Sequence, residues 1–239
     1  MADSEEKGPK IYPAWIVVDE SFSMDGPAID AVNTSVKKIH QHFIGSPVDA
    51  GSIYLGFVGF ADIAEEIVPL QDLSKVTQIP SYEPQGQTNY SAAFDLLREI
   101  IDRDMKTLKT QGFRRSRPMV FFITDGQATT DWASSYSKLT DQSWPYWPYI
   151  IAFGVGNEVN GSTLTEIANT KQGAYIPLSG ENARLPEDVL PEIFKKVTQT
   201  LFKTLEEGET GGERQDLPLP PVAGTKQEDG RIQLGDIDD

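Results

Sequence analysis

The sequence predicts an α/β fold: a doubly wound, mainly parallel sheet with one short antiparallel edge strand, forming a single domain that carries an acidic tail. Three observations point there. Short apolar runs alternate with stretches whose apolar residues recur every three or four positions. Strand-like and helix-like segments follow one another nearly throughout, the order expected of parallel strands joined by right-handed helical crossovers. The chain has 239 residues, 38% of them hydrophobic and 24% charged, which suits a globular protein with a sizeable core.

Residues 1–11 form a polar lead. Tyr12 to Val18 is an apolar run of strand length ending at Asp19, and its continuity suits burial on both faces. Asp25-Gly26-Pro27 marks a turn and a helix start, because proline suits the first helical position. Ile29, Val32, Val36, Ile39 and Phe43 line one face of that helix, and Gly45-Ser46-Pro47 ends it. Ile53 to Phe60 reads as a second strand. Glu66 to Leu70 reads as a short neighbour, joined by a tight hairpin at Ala61 to Glu65. After a turn-rich stretch from Pro80 to Asn89, Phe94, Leu97, Ile100 and Ile101 mark a helix running to about Lys109.

Pro118 to Thr124 is another buried strand, ending at Asp125-Gly126. Further helices are expected at Asp131 to Leu139 and at Ser162 to Ala168, with Ser162 as cap. A final helix is expected along the apolar stripe from Leu190 to Leu205. Strands are expected at Tyr149 to Phe153 and Ala174 to Leu178. The domain thus covers residues 12–205. Residues 206–239 hold ten acidic and three basic residues and little that could build a core, so they read as a disordered tail.

Composition narrows the function. The chain carries 36 acidic and 21 basic residues, for a formal charge of −15. Nucleic acids and anionic membranes both select clustered Lys and Arg, so neither is expected as a partner. No apolar run approaches the roughly 18 residues of a membrane span, and no apolar signal core follows the polar start. Cysteine is absent, which removes disulfides and thiolate zinc sites. These features predict a cytoplasmic protein.

Asp19, Ser21 and Ser23 follow the first strand, Thr88 lies on the loop before the second long helix, and Asp125 follows the Pro118–Thr124 strand. In an open parallel sheet, loops at the carboxyl ends of strands converge, and ligands bind there. The shared chemistry is oxygen: two carboxylates and three hydroxyls suit a hard cation such as Mg²⁺, with Mn²⁺ and Ca²⁺ as alternatives. In an extended loop every second side chain points the same way, so Asp19, Ser21 and Ser23 are expected to face one ion together.

Asp19-Glu20-Ser21-Phe22-Ser23-Met24, Thr88 within Gly86-Gln87-Thr88-Asn89, and Thr124-Asp125-Gly126 resemble the three parts of the metal-ion-dependent adhesion site of von Willebrand factor A domains. The resemblance covers most of residues 12–205. Within that family the layout is similar to bacterial intracellular proteins of the tellurium-resistance type, with Thr124 to Trp132 as the second matching segment. The resemblance implies direct ligation by Ser21, Ser23 and, in the binding-competent state, Thr88. It implies that Asp19 and Asp125 act through waters or hydrogen bonds, leaving an open position for an Asp or Glu of a partner protein. It also implies association with protein kinase or phosphatase components in stress responses. Phe22 stands where many relatives have glycine. Alternation turns it away from the metal, into the core or against a neighbouring loop; facing the rim instead, it would limit access to the ion.

The expectation is a binding module and not an enzyme. No nucleophile–His–acid set, phosphate-binding Gly-Lys-Ser/Thr loop or zinc-binding helix motif occurs. A metal-assisted hydrolase on the same topology is the alternative, with Glu20 the one acid inside the motif and turned away by alternation. A metal-independent scaffold binding through the tail or the Trp144–Tyr149 loop is the other. That loop is expected opposite the metal face, as a rigid cover for the sheet edge or a second protein-binding patch. Arg114 to Arg117 reads as a solvated loop on the same side. His40 and His42 do not share a helical face, and Gly154-Val155-Gly156 lacks the third glycine of a dinucleotide loop.

Overall fold

The computed structural model describes residues 8–44, 52–76, 79–126, 128–155, 161–169, 174–175, 225–228 and 231–234. The main elements in chain order are β1 (Lys10–Asp19), α1 (Pro27–Ile44), β2 (Ile53–Phe60), β3 (Ala64–Asp72), α2 (Tyr90–Thr110), β4 (Arg114–Arg115), β5 (Met119–Thr124), α3 (Ala133–Leu139), β6 (Tyr149–Gly154), α4 (Gly161–Ile167) and β7 (Ala174–Tyr175). Later, β8 (Thr225–Glu228) and β9 (Arg231–Leu234) pair as an antiparallel ribbon. The final helix expected along Leu190 to Leu205, and the end of the strand expected to reach Leu178, lie outside the described residues.

The main sheet runs β3-β2-β1-β5-β6-β7, with β4 prolonging the pairing of β1. Every pairing in it is parallel except β2 with β3, so the sheet is mainly parallel with one antiparallel edge strand. That edge strand is nine residues long and begins at Ala64, longer than the Glu66–Leu70 expectation. Its face is only half-buried, which blurs the apolar signal that marks the central strands. β4 was expected as solvated loop. It forms because Lys10 and Ile11 extend β1 past its apolar run and offer a free edge to Arg114 and Arg115.

β1 is the centre of the molecule, and its side chains from Ile11 onward are buried. Alternation sends them into two cores. Tyr12, Ala14, Ile16 and Val18 pack with Ile29, Val32 and Val36 of α1. Trp15 and Val17 pack with Phe94, Leu97 and Ile101 of α2, Leu139 of α3 and Leu164 of α4. The period of two in the strand meeting a period of 3.6 in each helix produces the two-sided sandwich. No helix among the described residues is long and apolar enough to cross a membrane.

Gly56 lies beside Trp15 in the β1–β2 register. A Cβ there would come within 2.7 Å of the buried Trp15 ring. Trp15 has no free side to move toward, so Gly56→Ala is expected to cost about 1–3 kcal/mol as overpacking. Urea unfolding followed by tryptophan fluorescence checks this through a lowered midpoint.

Candidate metal centre

The carboxyl ends of β1, β2 and β5 lie side by side, and their loops meet there. Asp19 is the last residue of β1 and is fully buried. Its Oδ1 accepts the Ser21 N–H at 2.8 Å, and its Oδ2 accepts the Thr124 hydroxyl at 2.5 Å. That carboxylate therefore ties the first loop to the end of β5. Beyond Ser21 the loop is not extended. Phe22–Met24 forms a 3-10 turn closed by Met24 N–H to Ser21 O at 2.9 Å. The turn still brings Ser21 Oγ and Ser23 Oγ to 3.0 Å. Ser23 in turn donates to Asp125 Oδ1 at 2.8 Å.

Thr88 enters from the third loop and is 5% exposed. Its carbonyl accepts both the N–H and the hydroxyl of Thr129, at 2.8 and 3.0 Å, which fastens it to the loop after β5. A Cβ at Gly126 would lie 3.4 Å from Thr88 Oγ1 and 3.7 Å from Ser23 Oγ, so the two hydroxyls flank one small space that glycine leaves open. The helix N-cap is Asn89, whose side chain accepts from Ala92 N–H at 3.2 Å, and this leaves the Thr88 hydroxyl available to the site. All five expected residues, Asp19, Ser21, Ser23, Thr88 and Asp125, thus belong to loops that the fold brings together.

The spacing of the two serine hydroxyls suits adjacent ligands of one divalent cation. Neighbouring ligands on bonds of about 2.1 Å sit about 3.0 Å apart, which is the separation of the two serine oxygens. Among the described residues no group of three or more His, Cys, Asp or Glu side chains is placed to hold a metal, so any such site depends on hydroxyls.

The von Willebrand factor type A domain model matches residues 15–196. The chain belongs to the von Willebrand factor type A family. Domains of this family commonly mediate metal-dependent protein binding, and their adhesion sites bind divalent metal. Solved structures share the fold. Proximal thread matrix protein 1 from the mussel byssus, in a form with a zinc-occupied adhesion motif, is 17% identical, with a TM-score of 0.58 over 80% of this chain and 48% of that one. A von Willebrand factor type A protein from Catenulispora acidiphila is 16% identical, with a TM-score of 0.55 over 80% of this chain and 42% of that one. The pilus adhesin SpaC from Lactobacillus rhamnosus GG is 13% identical, with a TM-score of 0.62 over 83% of this chain and 31% of that one. The match covers less than half the length of each of these three. No curated protein matches the sequence.

Two residues of this von Willebrand factor A domain lie behind the ligand set: Thr124, which the sequence motif includes without giving it a role, and Tyr90, which the sequence does not single out. Thr124 connects Asp19 to Tyr90, whose hydroxyl lies 3.2 Å from Thr124 Oγ1 and donates to the Gly126 carbonyl at 2.8 Å. The available signal was a polar residue closing the apolar run Val120–Ile123, and a tyrosine opening a helix. Burial pushes the Asp19 carboxyl up, and its hydrogen bonds from Ser21 and Thr124 oppose that rise.

Phe22 takes neither of the two inward positions that alternation suggests. It is neither in the core nor packed under a loop, but 68% exposed. Its N–H is held by the Gly86 carbonyl at 3.2 Å, and the 3-10 turn replaces the extended backbone on which alternation was argued.

Glu20 does turn away from the hydroxyls. Its carboxylate accepts Glu83 N–H at 3.2 Å and Gln85 Nε2 at 3.4 Å, bracing the loop that carries Thr88. At the opposite pole, Arg117 stacks 3.8 Å from the Trp147 ring centroid and Arg98 3.6 Å from that of Trp144. The basic run is thus partly pinned against aromatics. The loop there covers the amino ends of the strands, with Trp144 and Pro148 buried.

Burial, partly offset by the Glu83 and Gln85 hydrogen bonds, raises the Glu20 carboxyl above the ordinary glutamate value. The folded state therefore keeps this proton to higher pH than the unfolded state does. Stability from the neutral form is full below the unfolded value and declines as pH rises through the folded one. Glu20→Gln is expected to flatten that decline. Thermal melts in EDTA between pH 4 and 7 check it, with parallel wild-type and variant slopes as the contrary outcome.

Proposed function

We propose that the chain is a divalent-metal-dependent protein-binding module that captures an acidic side chain of a partner protein. The observation that carries the reading is the hydroxyl relay from Ser21 to Ser23 to Asp125, at 3.0 and 2.8 Å, beside the space kept open by Gly126. Ser21, Ser23 and Thr88 would hold the ion directly, and Asp19 and Asp125 through waters or hydrogen bonds. Mg²⁺ suits this all-oxygen set, with Mn²⁺ and Ca²⁺ as alternatives. The zinc-occupied motif of the mussel protein supports a divalent ion in a fold of this kind. When bound, the ion supplies positive charge and an open coordination position for a carboxylate.

The residues themselves do the positioning. Asp19 is locked by Ser21 and Thr124, so it stays in place behind the hydroxyls. Mostly neutral direct ligands leave a cation's charge poorly neutralised, which favours an incoming acid over water. A local dication also outweighs the screened, distant charge of an acidic protein.

The proposal is of a non-catalytic module. Glu20, the one acid inside the motif, is engaged with the Glu83–Gln85 loop, which supports that reading over a metal-assisted hydrolase. The similarity of the Asp19–Met24 and Thr124–Trp132 segments extends the proposal to a cytoplasmic role of the tellurium-resistance type, with protein kinase or phosphatase components among the partners.

Isothermal titration with Mg²⁺ and Mn²⁺ tests the site. Ser21→Ala with Ser23→Ala is expected to weaken binding at least tenfold, with only a small change in Tm, because the two hydroxyls bond to each other and leave together. Asp19→Ala is expected to abolish binding and also to cost about 1–3 kcal/mol, since it removes the acceptor of the buried Ser21 N–H and of the Thr124 hydroxyl. Undiminished metal binding in both variants would sink the assignment.

A further inference from the structure

Phe22, at 68% exposure, and Ile63, at 61%, are the exposed large hydrophobic residues among the described ones. Single exposed apolar side chains are ordinary. Here both fall on the same face, beside the candidate metal centre. Phe22 sits in the loop after β1, and Ile63 in the tight turn between β2 and β3. Both loops touch Gly86. Its carbonyl accepts the Phe22 N–H at 3.2 Å, and a Cβ on it would come within 2.4 Å of the Asp62 carboxylate. The two apolar side chains therefore flank the loop that delivers Thr88.

Charge at this face is one-sided. The segments 20–26, 61–65, 81–89 and 125–132 contain seven acidic residues and no Lys or Arg. Asp25, Asp62, Glu83 and Asp131 among them are exposed. An incoming acid meets repulsion everywhere except at the ion, and a basic residue beside that acid meets attraction. The chain's own tail, at ten acids to three bases, is the wrong charge for this face.

We infer that the partner segment presents one Asp or Glu next to a large apolar side chain, flanked by Lys or Arg, and that Phe22 and Ile63 form the apolar shelf that receives it. This rests on the metal-capture reading and adds a specificity that the ion alone does not supply. The shelf selects what stands beside the acid, and the acidic rim selects the flanks.

The test uses the full chain, Mg²⁺, and a labelled peptide Lys-Lys-Leu-Glu-Phe-Lys-Lys, read by fluorescence anisotropy. Phe22→Ser and Ile63→Ser are each expected to weaken the peptide about tenfold, with Phe22→Leu retaining most of the affinity. Mg²⁺ affinity, titrated separately on the same variants, is expected to be unchanged. Replacing the flanking Lys by Asp, or using a peptide of residues 231–239 of this chain, is expected to weaken binding at least tenfold. Equal peptide affinity in wild type, Phe22→Ser and Ile63→Ser overturns the shelf, and equal affinity for acidic flanks overturns the rim. Absence of binding by every peptide to the Mg²⁺-loaded chain overturns both. If EDTA leaves peptide binding intact while Phe22→Ser removes it, the capture reading fails and the shelf stands.

Discussion

A carboxylate buried at the end of a central strand must be satisfied where it sits, and the solution adopted by Asp19 organises everything above it. One oxygen takes the N–H of Ser21 and the other takes the hydroxyl of Thr124. The first bond bends the chain out of β1 into a tight turn. The second binds that turn to the neighbouring strand β5. Tyr90 then joins the same group from the start of α2, contacting Thr124 and the Gly126 carbonyl. One buried charge thereby registers two strands and a helix.

The loops above are braced by polar side chains that never reach the centre. Glu20 holds the backbone at Glu83, Asp62 accepts the Gln87 N–H at 3.2 Å, and Asn33 pairs with both the N–H and the carbonyl of Tyr82, at 2.8 and 2.9 Å. Thr88 is thus presented by a segment anchored to α1, to the end of β1 and to the β2–β3 turn. Loops fixed this way present ligands without the entropic cost of ordering them at the moment of binding.

Much of this was legible in the sequence. Strands buried on both faces write continuous apolar runs, and amphipathic helices write a period near 3.6, so β1, β2, β5, β6, α1 and α2 were readable within a few residues. The three loop motifs were readable as well, because parallel topology sends them to one edge. Other features depend on contacts between distant segments. β4 exists because of an edge offered by Lys10 and Ile11, not because Arg114-Arg115 favours a strand. The exposure of Phe22 follows from a 3-10 turn held by Gly86, which alternation along an assumed extended loop does not capture. Thr124 and Tyr90 matter through hydrogen bonds that no local pattern encodes.

The antiparallel edge has a consequence for solubility. Runs such as Val120-Phe121-Phe122-Ile123 are the kind of segment that stacks into fibrils when a sheet can recruit another strand. β3 is a poor recruiter. Its register against β2 shifts near Phe57, Pro69 offers no N–H, Glu65 is exposed, and Glu66 is clamped in a two-pronged ion pair by Arg103 at 2.6 and 2.8 Å. Irregularity and charge at an outer strand discourage edge-to-edge growth. At this edge of the sheet, a half-buried outer strand keeps an aggregation-prone core from being copied.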